Sequence, residues 1–237
     1  MSTFKNFAIA GVGNIGAVIA EELLSLKASG KVKEVVLLTR SSTKNESIDK
    51  LVSQGARVAA VDYSSQNALE SVLTGIDVVI STVSINALDF QASLAQAARL
   101  QALLGFDLAN GKASYGADGN ALITFTSRHD IARFLAHIVT TLPAEKLYWS
   151  TFRIEGDRIS FNEILRQYQE KTDKKVDVTL RSTEELEAAL KVNAYDIFSA
   201  LHLAWARGEG IVGKPEEVSN GMWPEWNPKK VIELITP

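Results

Sequence analysis

Three features of the sequence predict an α/β fold built on a doubly wound parallel sheet. Four short apolar runs, each followed by a helical pattern, fill about the first hundred residues, and the first run stops at a G-x-G-x-x-G turn. The second and fourth runs, centred on Val35–Leu38 and Val78–Ile80, are continuously apolar, as strands covered on both faces are. After the fourth run this pattern breaks off, and mixed strand and helix patterns that read as a smaller α+β part follow. The expected division is residues 1–145 for the sheet domain and 146–237 for the second.

The first strand is Phe7-Ala8-Ile9-Ala10, and it runs into Gly11-Val12-Gly13-Asn14-Ile15-Gly16. Gly11 permits a tight turn, Gly13 lets backbone N–H groups approach a pyrophosphate, and Gly16 lets the following helix pack close to the strand. Ile15, Val18, Ile19, Leu23 and Leu26 recur at helical spacing, with Glu21, Glu22 and Lys27 off that stripe. A helix opening at Asn14 presents free N–H groups and a positive dipole end to a dianion. With a strand before it and a helix after it, the glycine turn predicts a Rossmann-type dinucleotide site.

Val35-Val36-Leu37-Leu38 is the second strand, and it ends in Thr39-Arg40-Ser41-Ser42-Thr43-Lys44. NAD-selective sites place an acidic residue here for the ribose 2′-hydroxyl. Arg40 stands in that place, with Lys44 close behind, and a cation suits a 2′-phosphate that a carboxylate would repel. NADP is therefore expected over NAD; the alternative is that both are solvated loop charges. The third strand, Arg57 to Val61, ends at Asp62-Tyr63, either near the adenine end of the ligand or a polar cap on the next turn. The fourth, Ile76 to Ile80, ends at Ser81-Thr82-Val83-Ser84, where the cofactor's ribose and nicotinamide side would pass.

Composition narrows the class further. The 237 residues are 46% hydrophobic and 22% charged, the balance of an ordinary globular chain, and a net charge of −3 offers no basic footprint for nucleic acid. There is no cysteine, hence no disulfide framework, thiolate nucleophile or zinc-ligand pattern. The N-terminus has no signal-peptide pattern and no apolar run reaches the ~20 residues of a membrane span, so a cytoplasmic protein is expected. His129, His137 and His202 have no metal-ligand spacing and are expected in the core or on the surface.

Beyond Leu104 the pattern changes. Gly111 to Asn120 is glycine-rich and polar, Leu122 to Phe125 is a short strand, and Asp130 is placed to cap a helix running to Val139. Leu147 to Ile154 alternates bulky residues like a strand. Ser160 with Glu163 opens a helix by a capping box, Val176 to Leu180 is a strand, and Ser182 opens a further helix. Ala194 to Arg207 is a packed helix. Trp223 and Trp226, beside prolines, are expected to dock the tail onto the body, ahead of a short helix from Lys229 to Ile235.

These motifs resemble the NmrA-like / isoflavone reductase-like family of atypical short-chain dehydrogenases. The resemblance is carried by G-V-G-N-I-G, L-L-T-R, V-D-Y-S, G-I-D-V-V-I-S-T-V, the helix Gln91 to Leu100, and the stretches Asp118 to Val139 and Ile159 to Ile164. It implies an NADP(H)-binding oxidoreductase fold with a C-terminal part that frames a substrate or partner. The sequence departs from that pattern after the fourth strand. The family's fifth strand, its catalytic-lysine helix and its sixth strand have no counterpart, as if by internal deletion, so the resemblance implies a sheet truncated after its fourth strand. None of the five tyrosines is followed four residues later by lysine. No catalytic residue is identified; Lys112 is the nearest recruit. A binding or regulatory module with little catalysis is expected, the alternative being an NAD(P)H-dependent reductase of a small aromatic or carbonyl substrate. The missing fifth strand should leave the fourth with an open edge, filled by a later strand or paired in a homodimer, and association is the expected outcome.

Overall fold

The computed structural model describes residues 4–40, 46–82 and 104–236. The chain divides into two compact units: Met1–Asn86, Arg128–Thr151 and Met222–Trp226 form the first, and Ala87–Ser127, Phe152–Gly221 and Asn227–Pro237 the second.

Unit 1 is the parallel sheet that the sequence predicts. Strands β1 (Asn6–Ala10), β2 (Glu34–Thr39), β3 (Arg57–Ala60) and β4 (Val78–Ser81) lie in the order β3-β2-β1-β4, all parallel. Helices α1 (Asn14–Ser25), α2 (Glu46–Ser53) and α3 (Gln66–Leu73) follow the first three strands, and α4 (Arg128–Thr141) returns later in the chain to pack along α1. Side chains alternate across the sheet. Ala8, Ala10, Val36, Leu38, Ala59 and Val61 point to one face, where Leu69, Val72 and Leu73 cover them. Phe7, Ile9, Val35 and Leu37 point to the other and are fully buried. Truncating one of these to alanine costs about 2–5 kcal/mol.

Asp77 interrupts the apolar run before β4 for a reason visible here. Its carboxylate accepts the backbone N–H of both Lys5 and Asn6 at 2.7 Å, tying the start of β1 to the strand beside it.

The fourth strand differs from expectation. Ile80 alone of its residues is buried, and Val79 is 48% exposed, so β4 is not covered on both faces. Among the described residues no strand lies beyond it, and the sheet ends there. The candidates for filling that place are used otherwise. Ile123–Phe125 pairs with another strand, and Leu147 to Ile154 is no strand: a 3₁₀ turn at Ala144–Lys146 runs into Trp149, whose φ of 57° turns the backbone left-handed. The alternating bulky residues there are not alternately buried, for Tyr148 is 65% exposed and Trp149 wholly so. The predicted helix Gln91 to Leu100 lies outside the described residues.

In α4, Asp130 is not the cap but sits inside the first turn, buried and paired with Arg133 at 3.0 Å. The tail segment docks on the same helix. Trp226 is buried edge-on to Phe134, with centroids 4.9 Å apart. Trp223 stacks on His137 at 4.1 Å and lies under the Arg133 guanidinium at 5.5 Å. Spaced four apart, Arg133 and His137 share one helix face and hold one indole between them.

Unit 2 is a mixed α+β body. Strands β5 (Phe106–Asp107), β6 (Lys112–Gly116) and β9 (Asp177–Arg181) form one sheet, while β7 (Ile123–Phe125) and β8 (Asp157–Ile159) form an antiparallel pair. Its helices are α5 (Phe161–Thr172), α6 (Thr183–Val192), α7 (Ile197–Ala206) and α8 (Val231–Ile235). Phe106, Tyr115 and Phe161 pack together, with centroids 4.9–6.3 Å apart, and Leu104, Ile164, Leu165 and Tyr168 close around them. Ser182 and Glu185 make the reciprocal capping box at the start of α6. At α5 only half the expected box forms: Ser160 accepts the Glu163 N–H, but the Glu163 carboxylate turns to Arg166 and Gln167, which hold its pKa down at about 2.

The Trp223–His137 stack predicts a pH response in unit 1. Burial holds the imidazole below its ordinary pKa, the Lys31 cation adds to the shift, and Glu225 opposes it. A histidine depressed in the folded state stabilises docking above its ordinary value of about 6.5 and loses that contribution as pH falls through the folded value. Tryptophan fluorescence titrated from pH ~7.5 to ~5 should therefore change as the stack loosens. His137→Phe should keep the docking and abolish the change.

Candidate dinucleotide site

The C-terminal ends of the four parallel strands share one edge of unit 1, and most of the sequence-predicted site residues that the structure describes lie along it. In the order β3, β2, β1, β4 these are Asp62 and Tyr63, then Thr39 and Arg40, then the glycine turn, then Thr82. In an open α/β sheet, ligands bind outside this edge. Ser41, Lys44, Val83 and Ser84 lie outside the described residues.

The glycine turn is the tightest part. Gly11 has φ +93°, where a side chain is strained, and a Cβ there would meet the Thr82 backbone at 3.0 Å. The Thr82 N–H donates to the Ala10 carbonyl at 2.8 Å, and its hydroxyl donates to the Gly11 carbonyl at 2.5 Å. At Gly16 a Cβ would fall 2.1 Å from the Gly11 carbonyl oxygen. Gly11 and Gly16 are therefore glycines because backbone and Thr82 occupy the space of a side chain.

Gly13 is different in kind. Apart from its chain neighbours and the backbone of its own helix, no atom of the described residues lies within 4 Å of where its Cβ would be, and its φ of −94° suits any residue. Packing among the described residues does not require glycine there. Gly13 is the N-cap of α1 and supplies no side-chain cap, and the first helical bond runs from the Ala17 N–H to the Gly13 carbonyl at 2.9 Å. The N–H groups of Asn14, Ile15 and Gly16 thus have no intrahelical acceptor, and no acidic side chain stands in the first turn to take their place. An uncapped helix N-terminus of this kind favours an anion.

At the end of β2 the Thr39 hydroxyl is buried with no hydrogen-bond partner among the described residues, an uncommon state for such a group. Arg40 is exposed beside it and close enough to Tyr63 that its cation offsets part of the burial that raises the phenol's pKa. Tyr63 itself is anchored by donating to the Leu38 carbonyl at 3.1 Å. Asp62 accepts from the backbone N–H and hydroxyl of Ser64 at 2.9 and 2.7 Å, and the hydroxyl foremost holds its carboxyl below the usual range. As described, Asp62 is a turn cap, and its carboxylate adds negative charge near the strand end.

Lys112 is not part of this edge. It lies exposed on β6 in unit 2, in register with Asp107 on one side and Asp177 on the other. Sequence reasoning passed over a small, shallow concavity in unit 2, lined by Gly116 to Gly119, Phe161, His202 and Trp205. Its signal was spread over three segments, and Gly111 to Asn120 reads only as a polar loop. His202 accepts the Gly116 N–H at Nδ1 (3.1 Å) and stacks between Phe161 and Phe198. No group of acidic residues and histidines able to hold a metal ion occurs among the described residues.

With this geometry in view, the first half of the chain meets its match in known proteins. Residues 7–102 match the model of the NmrA-like family. The matched segment covers β1 to β4 and the glycine turn. The fold of the whole chain is also that of solved reductases. Leucoanthocyanidin reductase from Vitis vinifera, in a binary complex with NADPH, is 18% identical with a TM-score of 0.71, covering 96% of this chain and 97% of that one. Isoflavone reductase is 13% identical with a TM-score of 0.70 and 98% coverage of each chain. The NADPH-dependent quinone oxidoreductase of Escherichia coli, complexed with NADPH, is 16% identical with a TM-score of 0.65, covering 96% and 97%. No curated protein sequence matches the chain. No helix among the described residues is long and apolar enough to cross a membrane.

The contrast between the glycines is measurable without any ligand. Gly16→Ala should lower the melting temperature by about 2–12 °C, since overpacking costs about 1–3 kcal/mol and each kcal/mol moves a chain of this size by about 2–4 °C. Gly13→Ala should move it by less than about 2 °C. Differential scanning calorimetry on the two variants reads both.

Proposed function

We propose that the chain binds NADPH along the C-terminal edge of the sheet in unit 1 and acts as a dinucleotide-responsive binding or regulatory module. The observation that carries this reading is Gly13, an open cradle at an uncapped helix N-terminus that the fold itself does not need. Gly13, Asn14, Ile15 and Gly16 would hold the pyrophosphate by backbone N–H groups. The buried Thr39 hydroxyl would gain the partner it lacks, and Arg40 would pair with the 2′-phosphate. The NADPH complexes among the solved reductases of the same fold support this choice of cofactor.

NADPH, when bound, supplies a hydride. A reductase also needs a group to protonate the reduced substrate, and no Tyr-x-x-x-Lys pair is present to do so. Lys112 stands between two aspartates of its own sheet, a setting that suits a solvated charge. The reading as a module with little catalysis follows from these two points.

Two measurements test it. By calorimetric titration NADPH should bind about ten- to hundred-fold more tightly than NADH, and Arg40→Ala should remove most of the difference, the worth of one charge-assisted contact. Gly13→Val should abolish binding while the fold persists. Equal affinities for the two cofactors in the unaltered chain would remove the role given to Arg40.

The second measurement is NADPH oxidation across a panel of small aromatic and carbonyl substrates. Turnover should be absent or lower by about 10²–10⁴-fold than in a reductase with its general acid in place. Brisk turnover lost in Lys112→Ala would establish the enzyme reading instead.

A further inference from the structure

The outer edge of β9 carries a pattern that the dinucleotide site does not use. β9 reads Asp177-Val178-Thr179-Leu180-Arg181 and, among the described residues, is the last strand of its sheet, in the order β5-β6-β9. The Asp177 N–H donates to the Gly111 carbonyl at 2.8 Å, and the Arg181 carbonyl accepts from Ala117 at 2.9 Å. Odd-numbered residues therefore turn their backbone groups toward β6, and the N–H and C=O groups of Val178 and Leu180 point outward. The side chains are open as well: Val178 is 44% and Leu180 51% exposed. Their register partners on β6, Ala113 and Tyr115, are buried, so an apolar layer runs off the edge of the sheet uncovered.

We propose that this edge is where a second copy of the chain docks, β9 against β9, antiparallel about Thr179, turning two three-stranded sheets into one of six strands. The strand is complementary to itself in that arrangement. Val178 faces Leu180 of the second copy, and since both turn their backbone groups outward they exchange N–H and carbonyl bonds in both directions. Thr179 faces its own copy in the close, non-hydrogen-bonded position between these pairs. Asp177 faces Arg181 of the second copy, twice over by symmetry.

Charge selects this register. Asp107, Lys112 and Asp177 already lie side by side across the sheet, and Arg181 of the second copy continues the alternation of sign. Arg181 is steadied at its end of the strand by Ser199, which accepts from its Nη1 at 3.3 Å, and by the Phe198 ring beneath its guanidinium. Sliding the pair by two residues one way would oppose Arg181 to Lys175, and the other way would leave Asp177 opposite Thr183. Opposite charges directly across an antiparallel pair stabilise it, and like charges destabilise it.

Sedimentation equilibrium of the full chain over a dilution series should show a reversible dimer at about 100 µM, a concentration at which a micromolar dissociation constant leaves most of the protein paired. Asp177→Lys and Arg181→Glu should each weaken association about tenfold or more. Mixed together, the two variants should recover it, because both cross-strand pairs are again of opposite charge.

The chain has no cysteine, so Thr179→Cys offers an independent reading. Its Cα would lie about 4.5 Å from its copy, within disulfide range. Under mild oxidation Thr179→Cys should cross-link much faster than Asn193→Cys, an exposed control. If Arg181→Glu fails to fold, Asp177→Lys and the cross-link decide. A monomer at that concentration, or a dimer indifferent to Asp177 whose Thr179→Cys form links no faster than the control, overturns the proposal.

Discussion

Unit 1 is organised around a close approach of backbone to backbone where Gly11, Gly16 and Thr82 meet. The Thr82 hydroxyl reaches the Gly11 carbonyl, that same carbonyl fills the place of a Gly16 side chain, and the Thr82 backbone fills the place of one at Gly11. The end of β1 and the start of α1, neighbours in sequence, are thereby held against the end of β4, which lies some 71 residues further on. The consequence for the site is that the N-terminus of α1 is aimed by packing rather than by a cap. Its first N–H groups have no intrahelical acceptor and no side-chain cap among the described residues.

The sequence disclosed this part of the molecule well, and for a physical reason. A parallel strand covered on both faces must be apolar throughout, and a glycine that tolerates no Cβ has no substitute, so both leave marks that composition cannot blur. The same reasoning had less purchase beyond Leu104. Leu147 to Ile154 has the alternation of a strand, yet alternation records only which residues are bulky, and here a left-handed Trp149 breaks the backbone and leaves the bulk in water. Asp130 illustrates the same limit. A carboxylate before an apolar stripe reads as a cap, but Arg133 one turn on gives it a buried partner inside the helix.

Among the candidate residues, the legible ones were those whose role is set by backbone. Gly11, Gly13 and Gly16 could be assigned separate tasks from spacing alone, and the structure divides them into two that packing demands and one that it does not. Side-chain roles were harder to foresee. Asp62 spends its carboxylate on Ser64, a local bond available to any aspartate at such a turn, whereas the orphaned hydroxyl of Thr39 emerges only when its neighbours are in place. The concavity at His202 draws on residues nearly ninety positions apart and leaves no local pattern at all.

The docking of Met222–Trp226 in unit 1, with unit 2 on either side of it in the chain, bears on how the protein is made. Trp226 covers Phe134, and the segment Phe152–Gly221 of unit 2 lies between the two in sequence. Domains tend to fold from the N-terminus as they emerge during synthesis. Here the helix that carries Phe134 waits for its indole until the whole of Phe152–Gly221 has been made, so the completion of one unit is tied in time to the synthesis of the other.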